Sequence, residues 1–264
     1  MSEINNMVRK ILKESLHDGQ VVRLTLDAPK GNVLDSEMMS ELQSALEGLQ
    51  NQKEVKLVQF IGAGDHFSYG ASVQEHTRDQ ASGMLKQFHQ LFYTLIDLAI
   101  PTAALVSGQC LGGGFELALM CNFLFLDRSV RLGQPEINLG VFAPPASLIL
   151  PMKIGQSKAD DLLLTGRTIT ADEAVEMGLV TNLFDDKKTM LADVDTWVEE
   201  HILPKSASSL KFAVKAARQG FNETLRKQLH NLEKFYLDEL MSTHDANEGI
   251  ESFLKRREPK WENR

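Results

Sequence analysis

Short apolar runs alternate with amphipathic stretches along the first half of the chain. Residues 21–27 (VVRLTLD) and 55–64 (VKLVQFIGAG) have the pattern of strands, and residues 36–49 between them have helical periodicity. The pattern recurs at residues 82–98, an amphipathic stretch that ends before Pro101 and is followed by the apolar run PTAALVSGQ. Strands separated by helices of this length indicate an α/β fold.

The second half of the chain is predicted to be mostly helical. Three prolines and few charges predict a tight, irregular segment at residues 137–151, after which SKADDLLLTG, TADEAVEMG and residues 190–201 are typical of helices. We place a boundary at Pro204 and expect two regions, a core of residues 1–203 and a helical region of residues 204–264.

Three helices are predicted beyond Pro204, at residues 206–220, at residues 223–243 and from Ala246 onward. Their apolar positions are too few for an independent core. We therefore expect this region to pack on the rest of the chain or on another subunit.

The composition is that of an ordinary globular protein, with 43% hydrophobic and 24% charged residues. A net charge of −8 disfavours binding to nucleic acid or to an anionic membrane surface, and only the C-terminal KRREPKWENR is locally basic. Residues 98–115 carry no formal charge, but Pro101 and the glycines in this stretch disfavour a membrane-spanning helix.

Two features favour a cytoplasmic protein. Cys110 and Cys121 are too few for a disulfide scaffold and lie in apolar surroundings, where reduced, buried thiols are expected. The N-terminal MSEINNMVRKILKES lacks the apolar core and the small-residue cleavage pattern of a secretory signal.

Three consecutive glycines precede a glutamate in QCLGGGFELAL, residues 109–119. A glycine-rich turn that opens a helix offers backbone N–H groups and the positive end of the helix dipole to an anion or to a developing negative oxygen. The alternative is a close-packed corner between a strand and a helix. The run is not a phosphate-binding loop of the lysine type, because no Gly-Lys-Ser/Thr follows it, and its spacing does not match the dinucleotide-binding fingerprint.

Two further stretches extend this candidate site. DHFSYGAS follows the second predicted strand, so Ala71 is placed to present a second backbone N–H and to complete an oxyanion hole. GQPEINLG places Glu136 in uncharged surroundings, 20 residues after Glu116. Carboxylates in apolar surroundings acquire pKa values suited to proton transfer, although each could instead serve in a salt bridge or a helix cap.

The histidines do not indicate a metal site. None of the seven has the spacing of an HExxH motif, and we interpret His66, His76 and His89 as surface or packing groups. We therefore expect neither a metal nor a separate cofactor.

Taken together, these stretches resemble the enoyl-CoA hydratase/isomerase (crotonase) family over nearly the whole chain, and TGRTITADEAVEMGLV and FLKRREPKW also look like that family. The resemblance implies a spiral of ββα units followed by a helical trimerisation region, assembled as a homotrimer or a hexamer of two trimers. It implies an oxyanion hole from the N–H groups of Ala71 and Gly113, and catalysis by Glu116 and Glu136.

Within the family, FSYGASVQEH and LGQPEINLGVFAPPAS most resemble the hydratases of cyclohexa-1,5-diene-1-carbonyl-CoA in anaerobic benzoyl-CoA degradation. Ordinary hydratases commonly have GTIPGAGGT where this chain has GVFAPPAS, and GAD where it has GAS. The resemblance implies a hydro-lyase that adds water to a cyclic dienoyl-CoA, giving 6-hydroxycyclohex-1-ene-1-carbonyl-CoA.

The remaining site residues follow from this resemblance and from the needs of an acyl-CoA substrate, whose CoA moiety is part of the substrate itself. Positive charges are expected near the CoA phosphates, and small or aromatic residues along the acyl pocket. The candidates for substrate and CoA binding are Lys30, Asn32, Tyr69, Gly70, Gly112, Phe142, Pro144 and Lys255. Lys211 and Arg257 are further candidates for the phosphates, in part from a neighbouring subunit.

Two alternatives remain open. One is another reaction of the family: ordinary enoyl-CoA hydration in fatty-acid β-oxidation, double-bond isomerisation, or hydrolytic ring opening. The other is a non-catalytic or RNA-binding protein of the same fold, which the acidic charge balance disfavours.

Overall fold

The computed structural model describes residues 9–264. Residues 1–8 lie outside the described residues. They form the first part of MSEINNMVRKILKES, the segment that lacks the pattern of a secretory signal. The strands in this described part of the chain are β1 (Ile11–Leu16), β2 (Val21–Leu26), β3 (Leu57–Gly62), β4 (Thr102–Val106), β5 (Gln109–Leu111), β6 (Phe123–Asp127), β7 (Arg131–Gly133), β8 (Thr168–Thr170) and β9 (Asn182–Phe184).

These strands form two sheets. The larger sheet has six strands in the order β1-β2-β3-β4-β6-β9, in which β1 pairs antiparallel with β2 and every other pair is parallel. The smaller sheet has the order β5-β7-β8, with β5 and β7 parallel.

Between residues 9 and 264, ten α-helices accompany the sheets. They are α1 (Ser36–Glu47), α2 (Ala81–Leu98), α3 (Gly113–Met120), α4 (Pro144–Ile154), α5 (Gln156–Thr165), α6 (Ala171–Glu176), α7 (Lys187–His201), α8 (Ala207–Ala217), α9 (Gln219–Lys234) and α10 (His244–Leu254). Short 3₁₀ turns at Val73–His76 and Pro135–Leu139 adjoin the candidate site, and a π-helical turn at Phe235–Glu239 follows α9.

The larger sheet is buried on both faces, as the apolar strands predict. Successive residues of a strand point to opposite faces, so Val22 and Leu24 join the main core with α1 and α2, while Val21 joins a second core with α7. The predicted α/β fold is confirmed, and so are the helices at residues 36–49 and 82–98 within two residues at each end.

The short strands β7, β8 and β9 were not predicted, and two longer elements also differ from the sequence expectation. Strand β1 was not predicted, because four of its six residues are exposed at the sheet edge and the segment lacks an apolar run. The irregular segment expected at residues 137–151 is wrong in its second part, where α4 begins. Pro144 and Pro145 occupy the first turn of this helix, where a missing N–H breaks no intrahelical hydrogen bond.

The helical region after Pro204 packs on the rest of the chain. Helix α9 packs on α4 and α2, and α10 packs on the 3₁₀ turns beside the candidate site. Leu225, Tyr236, Met241 and Ile250 are buried in the main hydrophobic core. This packing brings a segment of the C-terminal region next to residues 113–144.

Cys110 and Cys121 are free thiols buried in the core, as expected. Across residues 9–264, every helix is too short or too polar to cross a bilayer.

Candidate active site

The glycine run lies where the start of α3 and the segment after β3 are in close contact. Gly112 has φ 48° and ψ −128°, a conformation with positive φ that favours glycine. A Cβ on Gly114 would lie 2.6 Å from the Cβ of Ser68, and a Cβ on Gly113 would lie 3.2 Å from the backbone N of Ala71. The run therefore lets the start of α3 approach the segment that follows β3.

Hydrogen bonds fix the Ser68–Ala71 turn. The Ser68 hydroxyl donates to the carbonyl of Asn32 at 2.7 Å and accepts from the N–H of Gly70 at 3.0 Å. The carbonyl of Gly70 accepts from the N–H of Leu34 at 2.9 Å. The turn is thus held by the loop before α1.

The backbone N–H groups of Gly113 and Ala71 lie near the start of α3. Gly113 is the first residue of this helix, so its N–H has no carbonyl partner within the helix. The N–H of Ala71 has no acceptor among residues 9–264. Both residues line the same cleft.

Glu116 lies in the first turn of α3 with only 4% of its surface exposed. Its Oε1 accepts a hydrogen bond from the backbone N–H of Ala146 at 2.8 Å. Burial and the nearby charge of Glu136 raise the pKa of Glu116 well above its usual value, and the Ala146 N–H partly opposes that rise.

Glu136 lies in the 3₁₀ turn Pro135–Leu139 and faces Glu116 across the cleft. Burial raises the pKa of Glu136 to about 7. The side-chain amide of buried Gln134 is oriented with its nitrogen towards Glu136. In this orientation it donates hydrogen bonds to both carboxylate oxygens of Glu136, at 3.1 and 3.0 Å. A Cβ on Gly112 would lie 2.6 Å from Oε1 of Glu136, so the glycine run also makes room for this carboxylate.

The cleft is mainly apolar beyond these groups. Its walls come from the 3₁₀ turn after Ala71, from α2, from the start of α4 and from the π-helical turn. The lining residues beyond the two glutamates include Val73, His76, Met84, Leu85, Phe88, Leu139, Phe142, Pro144 and Tyr236.

Most of the site residues expected from the sequence line this cleft. They are Tyr69, Gly70, Ala71, Gly112, Gly113, Glu116, Glu136, Phe142 and Pro144. Lys30, Asn32 and Lys255 do not. Lys255 pairs with Glu251 on its own helix, and Lys30 is exposed beside Gly31, whose backbone packs against the Tyr69 ring.

The expectation that Asn32 binds substrate needs correction. Asn32 is 3% exposed, and its amide donates to the carbonyls of Ala63, His66 and Phe67 and accepts from the N–H of Ala28. All its polar atoms are used within the protein. Asn32 therefore holds the loop beneath the Ser68–Ala71 turn and is not free to contact a ligand.

Sequence reasoning missed three residues with polar side chains at the site. His76, interpreted as a surface or packing group, lines the cleft, with its Nδ1 2.8 Å from the Ser72 carbonyl oxygen. Gln134 stands two residues before Glu136, and this short spacing could have identified it as a residue of the site. Tyr236 lies 100 residues beyond Glu136 in a predicted helix, and only tertiary packing brings it to the cleft.

This arrangement suits proton transfer beside a stabilised oxyanion. Two N–H donors at one position can hold a carbonyl oxygen as negative charge develops on it. Two neighbouring carboxyl groups with raised pKa values can give and take protons near neutral pH. Within residues 9–264, no cluster of three or more His, Cys, Asp or Glu side chains is arranged to hold a metal ion.

Comparison with known proteins identifies the class of protein. An enoyl-CoA hydratase from Mycobacterium avium subsp. paratuberculosis has the same fold, with a TM-score of 0.84 at 24% identity, covering 97% of this chain and 100% of that one. The family model "Enoyl-CoA hydratase/isomerase" matches residues 17–264. The chain therefore belongs to the enoyl-CoA hydratase/isomerase family.

Curated relatives extend this result. The chain is 42% identical to the cyclohexa-1,5-dienecarbonyl-CoA hydratase of Thauera aromatica over 264 residues, which cover 100% of both chains. It is 33% identical to the probable enoyl-CoA hydratase echA8 of Mycobacterium bovis over 252 residues, covering 94% of this chain and 96% of the relative.

Proposed function

We propose that this protein is a hydro-lyase that adds water to cyclohexa-1,5-diene-1-carbonyl-CoA and forms 6-hydroxycyclohex-1-ene-1-carbonyl-CoA, a step of anaerobic aromatic degradation. The observation that carries the proposal is the full-length, 42% identity to a relative named for this substrate. Two carboxyl groups with raised pKa values, in a cleft that Ala71 and Gly113 also line, support hydration as the chemistry.

In the proposed mechanism, the thioester oxygen accepts hydrogen bonds from the N–H groups of Ala71 and Gly113. Negative charge moves onto this oxygen as water attacks the β carbon and an enolate forms. The donors are already in position, so they stabilise the enolate without reorganising; one such donor is typically worth about 10²–10³ in rate.

Glu116 and Glu136 accept and donate the protons of the reaction. Water held between them loses a proton to the ionised carboxyl group as its oxygen bonds to the β carbon, and the protonated carboxyl group delivers a proton to the substrate. The pair starts and ends with one shared proton, and it titrates as a unit.

The ring determines where the proton goes. Attack at the β carbon of a cyclic 1,5-dienoyl thioester gives a dienolate, and protonation at its far end completes a net 1,4-addition. Phe142 and Pro144 lie at the wall of the cleft where a ring would rest. A straight-chain enoyl thioester would instead be protonated at the α carbon.

Binding of the CoA moiety is proposed for residues at the mouth of the cleft. Tyr69 is 44% exposed and packs against Gly31, next to Lys30. We assign Lys30 to the CoA phosphates of its own subunit, and Lys255 to those of a neighbouring subunit.

The same proposal includes the assembly. Large apolar side chains of the C-terminal region remain exposed in the single chain: Phe212, Phe235, Phe253, Leu254 and Trp261. Such side chains are suited to bury against other subunits, so we propose a homotrimer or a hexamer of two trimers built on residues 204–264. Light scattering of the purified chain measures its assembly.

We further propose that the protein is a cytoplasmic enzyme that uses neither a metal nor a separate cofactor.

A spectrophotometric assay tests the substrate. Purified protein is supplied with cyclohexa-1,5-diene-1-carbonyl-CoA and with crotonyl-CoA, and kcat/KM is measured for each. We expect the cyclic substrate to be preferred. Faster turnover of crotonyl-CoA would overturn the ring preference and would favour the ordinary enoyl-CoA hydration suggested by the 33% identical relatives. Turnover of neither ester, with salt-dependent retention on RNA, would favour a non-catalytic protein.

A further inference from the structure

Tyr236 brings a side chain of the C-terminal region into the cleft. It lies on the π-helical turn Phe235–Glu239, is 1% exposed, and lines the cleft together with Glu116 and Glu136. Its ring packs edge to face on Phe142, with the ring centroids 5.3 Å apart. π-Helical turns are frequent at functional sites because they redirect side chains out of the regular helical pattern.

The hydroxyl of Tyr236 is buried and has no hydrogen-bond partner in the described part of the chain. Leaving a buried hydroxyl without a partner is unfavourable, so each such group calls for an explanation. Buried side-chain atoms without partners also occur on Gln43, Glu75, His89, Ser107 and Asn222, and none of these residues lines the cleft. Tyr236 is thus distinguished by its place in the site.

The hydroxyl is available as a hydrogen-bond donor. Burial, together with the charges of Glu136 and Glu116, raises the pKa of Tyr236 above its usual range, so the phenol keeps its proton at neutral pH. A polar atom that enters the cleft with the reactants can accept a hydrogen bond from it.

The proposed reaction brings few such atoms. The acyl group is a hydrocarbon ring, and the thioester oxygen is assigned to the N–H groups of Ala71 and Gly113. The remaining oxygen is that of water, which becomes the hydroxyl of the product. We infer that the hydroxyl of Tyr236 binds this oxygen, first in the reacting water and then in the product.

This inference rests on the proposed function and adds a residue to it. Tyr236 fixes the oxygen relative to the two carboxyl groups, and its ring and that of Phe142 form one wall beside the acyl group. The same role applies to a straight-chain enoyl-CoA, whose acyl group is also a hydrocarbon, so the inference can be tested whichever ester is hydrated.

Tyr236→Phe removes only the hydroxyl and keeps the ring packing. Tyr93→Phe is the matched control, since Tyr93 is the one tyrosine of the chain that does not line the cleft. We expect Tyr236→Phe to lower kcat/KM for hydration at least about tenfold, the effect of one good hydrogen bond, and Tyr93→Phe to stay within twofold of wild type. The melting temperature of Tyr236→Phe should equal or exceed that of wild type, because no intramolecular hydrogen bond is lost.

A binding experiment isolates the product hydroxyl. In a Glu136→Gln background, which slows turnover at least about 10²-fold, dissociation constants are measured for 6-hydroxycyclohex-1-ene-1-carbonyl-CoA and cyclohex-1-ene-1-carbonyl-CoA, which differ only in the hydroxyl. Adding Tyr236→Phe should weaken binding of the hydroxylated ester several-fold and leave binding of the other unchanged. If the wild type hydrates crotonyl-CoA instead, 3-hydroxybutyryl-CoA and butyryl-CoA form the pair.

The outcomes separate the two proposals. Hydration by Tyr236→Phe within twofold of wild type, or equal effects on both esters of a pair, would overturn the role of Tyr236 and leave the proposed function intact. A wild type that fails to hydrate the cyclic ester would overturn the proposed substrate, and the binding pair would still decide the role of Tyr236.

Discussion

Glu116 accepts a hydrogen bond from the backbone N–H of Ala146 at 2.8 Å, which joins the first turn of α3 to the first turn of α4. The two residues before Ala146 are prolines and have no N–H, so Ala146 is the first residue of α4 with a donor to offer. This bond fixes one carboxyl oxygen of Glu116 and leaves the other for the cleft.

Replacing either glutamate by glutamine should abolish most of the activity without unfolding the protein. An amide has nearly the shape of a carboxyl group, and its oxygen can still accept from Ala146, but it cannot exchange a proton. We expect Glu116→Gln and Glu136→Gln each to lower kcat about 10²–10⁴-fold, the usual contribution of a general acid or base. Steady-state hydration kinetics measure the loss.

Glu176→Gln controls for this pair of variants, because Glu176 is exposed on α6, away from the cleft. Its activity should match that of wild type. Hydration within a few-fold of wild type in either Glu116→Gln or Glu136→Gln would mean that the role proposed for that residue is wrong.

The pH dependence of activity should reflect the two coupled carboxyl groups. Burial raises the pKa of Glu136 to about 7 and raises that of Glu116 well above its usual value. The working state holds one proton on the pair, so kcat should rise as pH increases through about 7 and fall at higher pH, when the second proton leaves. An acidic limb near pH 4.5, the ordinary value for glutamate, would contradict this prediction.

The same pKa shift predicts how stability changes with pH. The folded state keeps the proton on Glu136 up to about pH 7, whereas the unfolded chain loses it near pH 4.5. The stabilisation is therefore complete below the unfolded pKa and is lost as pH rises towards 7. Relative to wild type, Glu136→Gln should gain stability between pH 5 and 8, by at most about 3 kcal/mol. Urea unfolding at several pH values measures this gain, and a constant difference would contradict the shift.

Removing one backbone donor tests the proposed oxyanion hole. Gly113 is the first residue of α3, where proline is tolerated, so Gly113→Pro removes the N–H without breaking an intrahelical hydrogen bond. The control Gly113→Ala adds a Cβ in the same crowded position and keeps the N–H. We expect Gly113→Pro to have a kcat about 10²–10³-fold below that of Gly113→Ala. Equal activities would argue against a role for this N–H.

Much of the fold follows from local sequence patterns. The apolar runs of β3 and β4 and the amphipathic α2 are visible in the sequence because each buries a large apolar surface. Edge strand β1 was missed because exposed edges require no such pattern. Helix α4 was not predicted because its prolines were interpreted as signs of an irregular segment. Two of them lie in the first turn of the helix, where proline is tolerated.

The candidate site was predictable where its residues cluster in sequence. Ala71, Gly113 and Glu116 stand in glycine-rich turns with a local backbone reason for each residue. Tyr236 could not be predicted, because its place depends on α9 packing against α4. Asn32 was misinterpreted because a sequence shows a polar side chain but not the carbonyls that use its hydrogen bonds.

Asn32 should therefore matter for stability more than for substrate affinity. Asn32→Ala removes the amide that binds three carbonyl groups and leaves a non-glycine residue at φ 53°. We expect a loss of about 2–4 kcal/mol in the free energy of unfolding. Asn32→Gly accepts the positive φ but also lacks the amide, so it should recover part of the loss. A raised KM at unchanged stability would restore the ligand-binding role.

Gly112 combines positive φ with a close approach to the carboxylate of Glu136, so its substitution tests the position of that carboxylate. A Cβ there would lie 2.6 Å from Oε1 of Glu136. Gly178 provides the matched control, since it also has positive φ, 79°, but a Cβ on it would meet nothing within 4 Å. Both alanine variants should lose about 1–2 kcal/mol of stability from backbone strain. Only Gly112→Ala should also lose hydration activity, by at least about tenfold, because displaced Glu136 no longer holds the reacting water. Equal activity in the two variants would show that the position of Glu136 does not depend on this glycine.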